Sequence, residues 1–172
     1  MIKNSMYYLI AFVLVVILKF MYAHADNDMV LFMLKPINGV VETIANQNAT
    51  YTSAIGFYFE NLNIIIDKSC SGVNFWLISF MLFMFSLLKH TRTLFENIIV
   101  FPIAFAVTYL LTLFANISRI LISIFIEKNT SFDYTWMHQA QGVFVYLTFL
   151  ILFYLLTNHF ISKSNIRHAK FA

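Results

Sequence analysis

The stretch Asp67–His90, DKSCSGVNFWLISFMLFMFSLLKH, decides the fold. Six mostly polar residues run into an uncharged apolar run from Val73 to Leu88, closed by Lys89 and His90. A bilayer's hydrocarbon core, about 30 Å thick, takes about 20 helical residues. Val73–Leu88 spans it only if the residues around Cys70 supply the first turn, which sets that thiol at the membrane surface. Cys70 is the only cysteine in 172 residues.

Outward from this stretch the chain has the same character. It is 60% hydrophobic, 18% aromatic and only 11% charged, with a mean hydropathy of +0.77, against about 25% charge in soluble domains. This is an integral membrane protein. Three more apolar segments suit a bilayer crossing: Met6 to Tyr22, Ile98 to Ala115 and Val143 to Phe160. The second of these stays apolar past Asn116 and Arg119 to Ile126, about 43 Å if wholly helical at 1.5 Å per residue. A strong tilt, a break or a re-entrant bend near Asn116 is therefore expected. With four glycines, two prolines and no repeat or low-complexity run, residues 1–172 read as one all-α membrane domain. It is a bundle of about four transmembrane helices with a small outer region. Nothing marks a nucleic-acid site.

Loop charges give the orientation, because lysine and arginine accumulate on the cytoplasmic side. With both termini inside, the inner set is Lys3, Lys89, Arg92, Lys163, Arg167 and Lys170, and the outer set only Lys35, Lys68 and Lys128. Lys19 is expected to snorkel to the outer interface. Ala23-His24-Ala25 before Asp26 also fits a signal-peptidase site, so the first span has two readings, retained helix or cleaved leader. In the outer loop, DNDMVLFMLKPINGVVETIANQ reads as an amphipathic helix along the membrane, broken at Pro36 and Gly39. IGFYFENLNIIID reads as a small hairpin around Glu60-Asn61-Leu62-Asn63.

A solitary cysteine excludes an internal disulfide, a CxxC redox pair and a thiolate zinc site, and no metal or cofactor is expected. It leaves an inert packing residue or a nucleophile. Sidedness puts His90, His159 and His168 inside and leaves His24 and His138 on the Cys70 side. Asn116 and Arg119, at i and i+3, share a helix face there. These groups suit acyl transfer. A thiol at a helix start is favoured as thiolate, an imidazole can exchange its proton, and an arginine can hold an oxyanion. Gly72 permits close backbone approach, and Ser71 is a candidate cap for the span. The competing readings stand beside these: Arg119 paired with Asp67, Asp133 or a lipid phosphate, and His138 as an interfacial anchor after Trp136.

Cys70-Ser71-Gly72 opening one span, Asn116-x-x-Arg119 closing the next outward-going one, and His138 before the last resemble the exosortase/archaeosortase family of prokaryotic membrane enzymes. The similarity covers about 68–160 and is nearest to short, single-module members of the exosortase K type. It implies a cysteine protease or transpeptidase (a hydrolase of protein sorting) in the plasma membrane of a prokaryote, active site outward and both termini cytoplasmic. The implied partners are exported proteins ending in a short motif, a transmembrane helix and a basic cluster, besides membrane lipid. Carried over, Cys70 is the nucleophile, Arg119 the oxyanion or positioning residue and His138 the proton-transfer residue, with Asn116 in support. One span ahead of Cys70, where many members have several, is a departure.

A non-catalytic four-span scaffold or assembly partner accounts for the same helices with Arg119 as a structural group. A transporter needs facing polar residues deep within the spans, which offer only scattered serines, threonines and tyrosines.

Overall fold

The computed structural model describes residues 4–91, 93–129 and 134–170, with side chains except at 127–129, 134–140, 161, 162 and 164–170. Five α-helices are found: α1 (Ser5–His24), α2 (Leu31–Ala45), α3 (Val73–Leu88), α4 (Leu94–Asn129) and α5 (Tyr134–Lys170). Between α2 and α3 lies an antiparallel sheet of β1 (Thr50–Thr52), β2 (Gly56–Phe59) and β3 (Ile64–Ile66), in the order β1-β2-β3. Four helical segments are long and apolar enough to cross a membrane: Ser5–His24, Lys68–Leu88, Leu94–Ile126 and Gln141–Phe160.

The bundle is built around the segment quoted first. Of Lys68–Leu88, 67% of the span window is buried inside the protein, against 11% for the spans of α1 and α5. A helix apolar on all sides belongs in the middle, and α3 packs against α1, α4 and α5. One core joins Tyr7 and Ala11 of α1, Phe80, Met84 and Leu88 of α3, and Val100 and Ala104 of α4. At this end the Asn4 amide donates to the Leu88 carbonyl (2.6 Å) and to Thr91 Oγ1 (3.3 Å). The opposite end holds a second core in which Met33, Leu34, Ile37 and Val41 of α2 meet Phe59, Ile66, Cys70, Val73 and Trp76. The α2 and sheet layer thus sits over the Cys70 end of the bundle.

The long third span is one uninterrupted helix of 36 residues, about 54 Å at 1.5 Å per residue. Of the three ways to accommodate its length, a break or re-entrant bend at Asn116 is therefore excluded. Thr93 and Glu96 cap its start reciprocally, Thr93 Oγ1 accepting from Glu96 N (3.2 Å) and Glu96 Oε2 from Thr93 N (3.4 Å).

The expected interruption of the outer helix is also corrected, because α2 runs through both Pro36 and Gly39. A proline inside a helix leaves the carbonyl four residues earlier without its N–H. Here that carbonyl belongs to Phe32, and the Tyr109 hydroxyl of α4 donates to it at 2.8 Å. The Phe32 ring lies beside Trp76 and Tyr109, with centroids 5.9 and 6.3 Å away.

The hairpin forms as expected, with Phe57 paired to Ile66 and Phe59 to Ile64, and Asn63 in the left-handed region at its turn. The additional strand β1 pairs Tyr51 with Phe57. It is moored by Asp28, whose carboxylate accepts from Ser53 Oγ (2.5 Å) and from the Tyr51 hydroxyl. Those bonds, Ser53 first, hold the Asp28 carboxyl below the usual carboxylate range.

Tyr109→Phe is expected to lower stability by about 1 kcal/mol, the net worth of a typical hydrogen bond. Most of that loss should vanish in a Pro36→Ala background, where residue 36 supplies its own N–H to Phe32. A double-mutant cycle read from unfolding in dodecyl sulfate measures the coupling; equal losses in both backgrounds would refute this account of α2's continuity.

Candidate active site

Cys70 stands at the end of a 3₁₀ turn, Lys68–Cys70, separated from α3 by Ser71 and Gly72. The turn is capped by Asp67, whose Oδ1 accepts from the Ser69 N–H (2.9 Å) and Ser69 Oγ (2.6 Å). Cys70 is thus not in the first turn of α3, because the left-handed Gly72 (φ 74°) separates the 3₁₀ turn from the helix and is itself the helix N-cap. The structure places Cys70 at 7% exposure, with Sγ 3.8 Å from Ser69 Oγ.

Ser71 does not cap α3 as expected from its position. It is wholly buried, and its hydroxyl donates to the Tyr22 hydroxyl (3.4 Å). Tyr22 in turn donates to the Lys68 carbonyl (3.0 Å), while Lys68 Nζ donates back to the carbonyls of Ala23 (3.1 Å) and Ala25 (2.7 Å) and lies over the Tyr22 ring. The end of α1 and the Cys70 turn are therefore laced together through the residues that resemble a signal-peptidase site. Lys19 reaches the same end, donating to Asn74 Oδ1 and lying 5.6 Å from the Tyr22 ring centroid.

Gly72 is required by crowding as well as by its dihedral. A Cβ there would stand 3.0 Å from Thr112 Cγ2 and 3.4 Å from the Asn116 amide. The close approach lets the wholly buried Asn116 donate from Nδ2 to the Cys70 carbonyl. Asn116 Oδ1 accepts from the Tyr146 hydroxyl at 2.7 Å, and Arg119 Nη1 donates to the same hydroxyl at 3.1 Å. Arg119 is 9% exposed, its guanidinium carbon 5.6 Å from the Tyr146 ring centroid. On the other side, Phe75 of α3 stacks on Tyr146 with centroids 4.7 Å apart. One hydrogen-bonded path thus runs from the Cys70 backbone through Asn116 and Tyr146 to Arg119, joining the Cys70 turn to α4 and α5.

Of the expected site residues, Cys70, Ser71, Gly72, Asn116 and Arg119 come together at one end of the bundle. The side chain of His138 lies outside the described residues. Position 138 precedes Gly142 and Tyr146 at four-residue intervals on α5, and Gly142 faces Arg119, whose Nε is 3.5 Å from where a Cβ on that glycine would be. His24, at the same end, has Nδ1 3.0 Å from its own helix's Phe20 carbonyl. His90, with Nδ1 3.0 Å from the Ser86 carbonyl, is at the far end with His159, whose neighbour Asn158 accepts from Ser86 Oγ (3.5 Å). Among the described residues no group of three or more potential metal ligands occurs. Tyr146 and Tyr22 were not among the expected site residues; the four-residue spacing of 138, 142 and 146 was the available signal for the first.

Comparison with protein-family models, characterised proteins and solved structures found no match.

Gly72→Ala is expected to cost about 1–3 kcal/mol from its backbone strain, with further loss from the Thr112 contact. Thr112→Ser should recover only the second part, measured as unfolding midpoints of the single and double variants. Tyr146→Phe keeps the Phe75 stack but removes the hydroxyl shared by Asn116 and Arg119. It should cost about 1–2 kcal/mol, and Tyr146→Leu, which also loses the ring, distinctly more. Identical losses would show that the ring stack contributes nothing, and an unchanged Tyr146→Phe that the hydroxyl contributes nothing.

Proposed function

We propose that the protein is a membrane-embedded cysteine protease or transpeptidase of the exosortase/archaeosortase type, acting on C-terminal sorting tails of exported proteins at the outer membrane face. The observation that carries this reading is the Asn116–Tyr146 path, which ties the lone cysteine's backbone to a buried arginine from another helix. The ordered motifs around Cys70, Asn116, Arg119 and His138 support the family and the prokaryotic plasma membrane, and the loop charges support the cytoplasmic termini.

In this reading the Cys70 thiolate attacks the scissile carbonyl, whose oxyanion is met by Arg119 in a site of low dielectric. The peptide C–N bond breaks, leaving a Cys70 thioester, and the departing amine takes a proton from His138. Water or an acceptor amine then attacks the thioester and restores the thiol. Arg119 is positioned by Tyr146, and the Cys70 main chain by Asn116.

The test is tail processing of a co-expressed exported reporter, followed by immunoblot. Cys70→Ala should accumulate in the membrane at the normal level and abolish processing. Arg119→Lys, which keeps the charge but loses the planar fork, should reduce it by at least about 100-fold, the scale of a lost oxyanion donor. Unchanged processing by Cys70→Ala would sink the reading. The burial of Arg119 against Tyr146 favours a second one, a four-span scaffold; there Arg119→Ala destabilises the protein while Cys70→Ala changes nothing.

A further inference from the structure

Above the Cys70 end, α2 and the face of the sheet border an open pocket of about 450 Å³ that the network around Cys70 does not use. Leu31, Lys35, Asn38, Gly39 and Glu42 line it from α2, and Tyr51 and Phe57 from the paired strands β1 and β2. Three features mark it as a built site. Asn38 is 4% exposed, and its Oδ1 is buried without a hydrogen-bond partner, an acceptor that folded proteins rarely leave unmet. Gly39 sits in a helix interior, where glycine is a poor choice, and a Cβ there would meet nothing within 4 Å, so the missing side chain keeps the wall open. Lys35 brings an exposed ammonium to the rim.

The faces of α2 say where an occupant comes from. Met33, Leu34, Ile37 and Val41 point into the core, and Phe32, Val40 and Ile44 form an exposed apolar stripe. At 100° per residue, the pocket stripe is turned about 140° from that apolar stripe. An exposed apolar stripe on a surface helix is its lipid-facing side, so the pocket opens away from lipid, toward water. A phosphodiester would also leave Asn38 Oδ1 without a donor, whereas a peptide backbone offers N–H and C=O groups side by side.

We propose that this pocket is a substrate subsite that binds a short extended segment of an exported polypeptide. With the Asn38 side chain turned out into the pocket, a backbone N–H of that segment donates to its Oδ1, an adjacent carbonyl or carboxylate accepts from Lys35 Nζ, and an apolar side chain lies against Leu31 and Phe57. The assignment as substrate rests on the protease reading given above. Phe57 pairs with Ile66, four residues ahead of Cys70. Those four residues span at most about 14 Å, so a chain seated in the pocket reaches the thiol within a few extended residues.

The experiment uses the full chain carrying Cys70→Ala, reconstituted in lipid nanodiscs, and a combinatorial library of acetylated, amidated pentapeptides scored by affinity selection and mass spectrometry. The Cys70→Ala chain should enrich a defined peptide set. Adding Gly39→Leu, whose Cβ meets nothing within 4 Å and whose side chain takes up pocket space, or Lys35→Glu at the exposed rim, should weaken binding of that set by at least about tenfold. Neither should lower the unfolding midpoint. No enrichment, or equal enrichment by Gly39→Leu, overturns the subsite; so does native mass spectrometry showing a phospholipid that Gly39→Leu expels. Enrichment by a chain whose wild type cuts no tail upholds the pocket and refutes the protease. Tail processing that Gly39→Leu leaves intact, without peptide enrichment, refutes the pocket alone.

Discussion

The hydrogen bond from the Asn116 side chain to the Cys70 carbonyl is the interaction on which the rest of this end of the molecule depends. It exists because Gly72 lets the chain pass close against α4 and because Asn116 is wholly buried, where an unmet amide is heavily penalised. An amide has two ends. With Nδ2 committed to Cys70, Oδ1 needs a donor, and the Tyr146 hydroxyl that supplies it becomes the acceptor for Arg119. Each satisfied group creates the demand that the next one meets, so the arginine's place follows from the turn that holds the cysteine.

The same requirement shapes the layer of α2 and the sheet. Within or beside a bilayer, backbone groups have little water to fall back on, and a proline in α2 would leave a carbonyl stranded. Tyr109 meets it, and in doing so fastens α2 across the bundle beneath the sheet. At the end of α1, Lys68 and Tyr22 do the same for the carbonyls of Ala23, Ala25 and Lys68. Tyrosine recurs because a phenol combines a ring that packs among apolar side chains with one hydroxyl that can serve a backbone group.

The sequence made the four segments long and apolar enough to span a membrane and the hairpin legible because their signals are local: run length for the former, and two β-branched or aromatic runs around a turn for Gly56–Ile66. It misled at Pro36, where a local rule about helix breaking was overridden by a partner on a distant segment; near Asn116 two of the three expected accommodations, the break and the re-entrant bend, do not occur. β1 was missed since three residues carry almost no periodicity, and its anchor, Asp28, is remote in sequence. The grouping of Cys70, Gly72, Asn116 and Arg119 could be expected from order and sidedness. Tyr146, one of nine tyrosines, was marked in the sequence only by its four-residue spacing from positions 138 and 142, and the packing of α5 against α4 reveals that it is the one that bridges.

How Cys70 is held bears directly on what it can do. Its carbonyl is fixed by Asn116, its turn by Asp67 and the residue after next by the crowding at Gly72. Its sulfur has only a weak contact with Ser69 Oγ. Buried side chains that serve packing alone are held through the side chain, by contact on every side. Here the side chain packs in the core with residues of α2, the sheet and α3, and the main chain is also fixed by hydrogen bonds, so the sulfur occupies a defined position. The scaffold reading explains the burial of Arg119 equally well but gives no reason for spending a buried asparagine on the carbonyl of this one residue. Under the proposed reading, that fixed carbonyl also sets where the nucleophile stands.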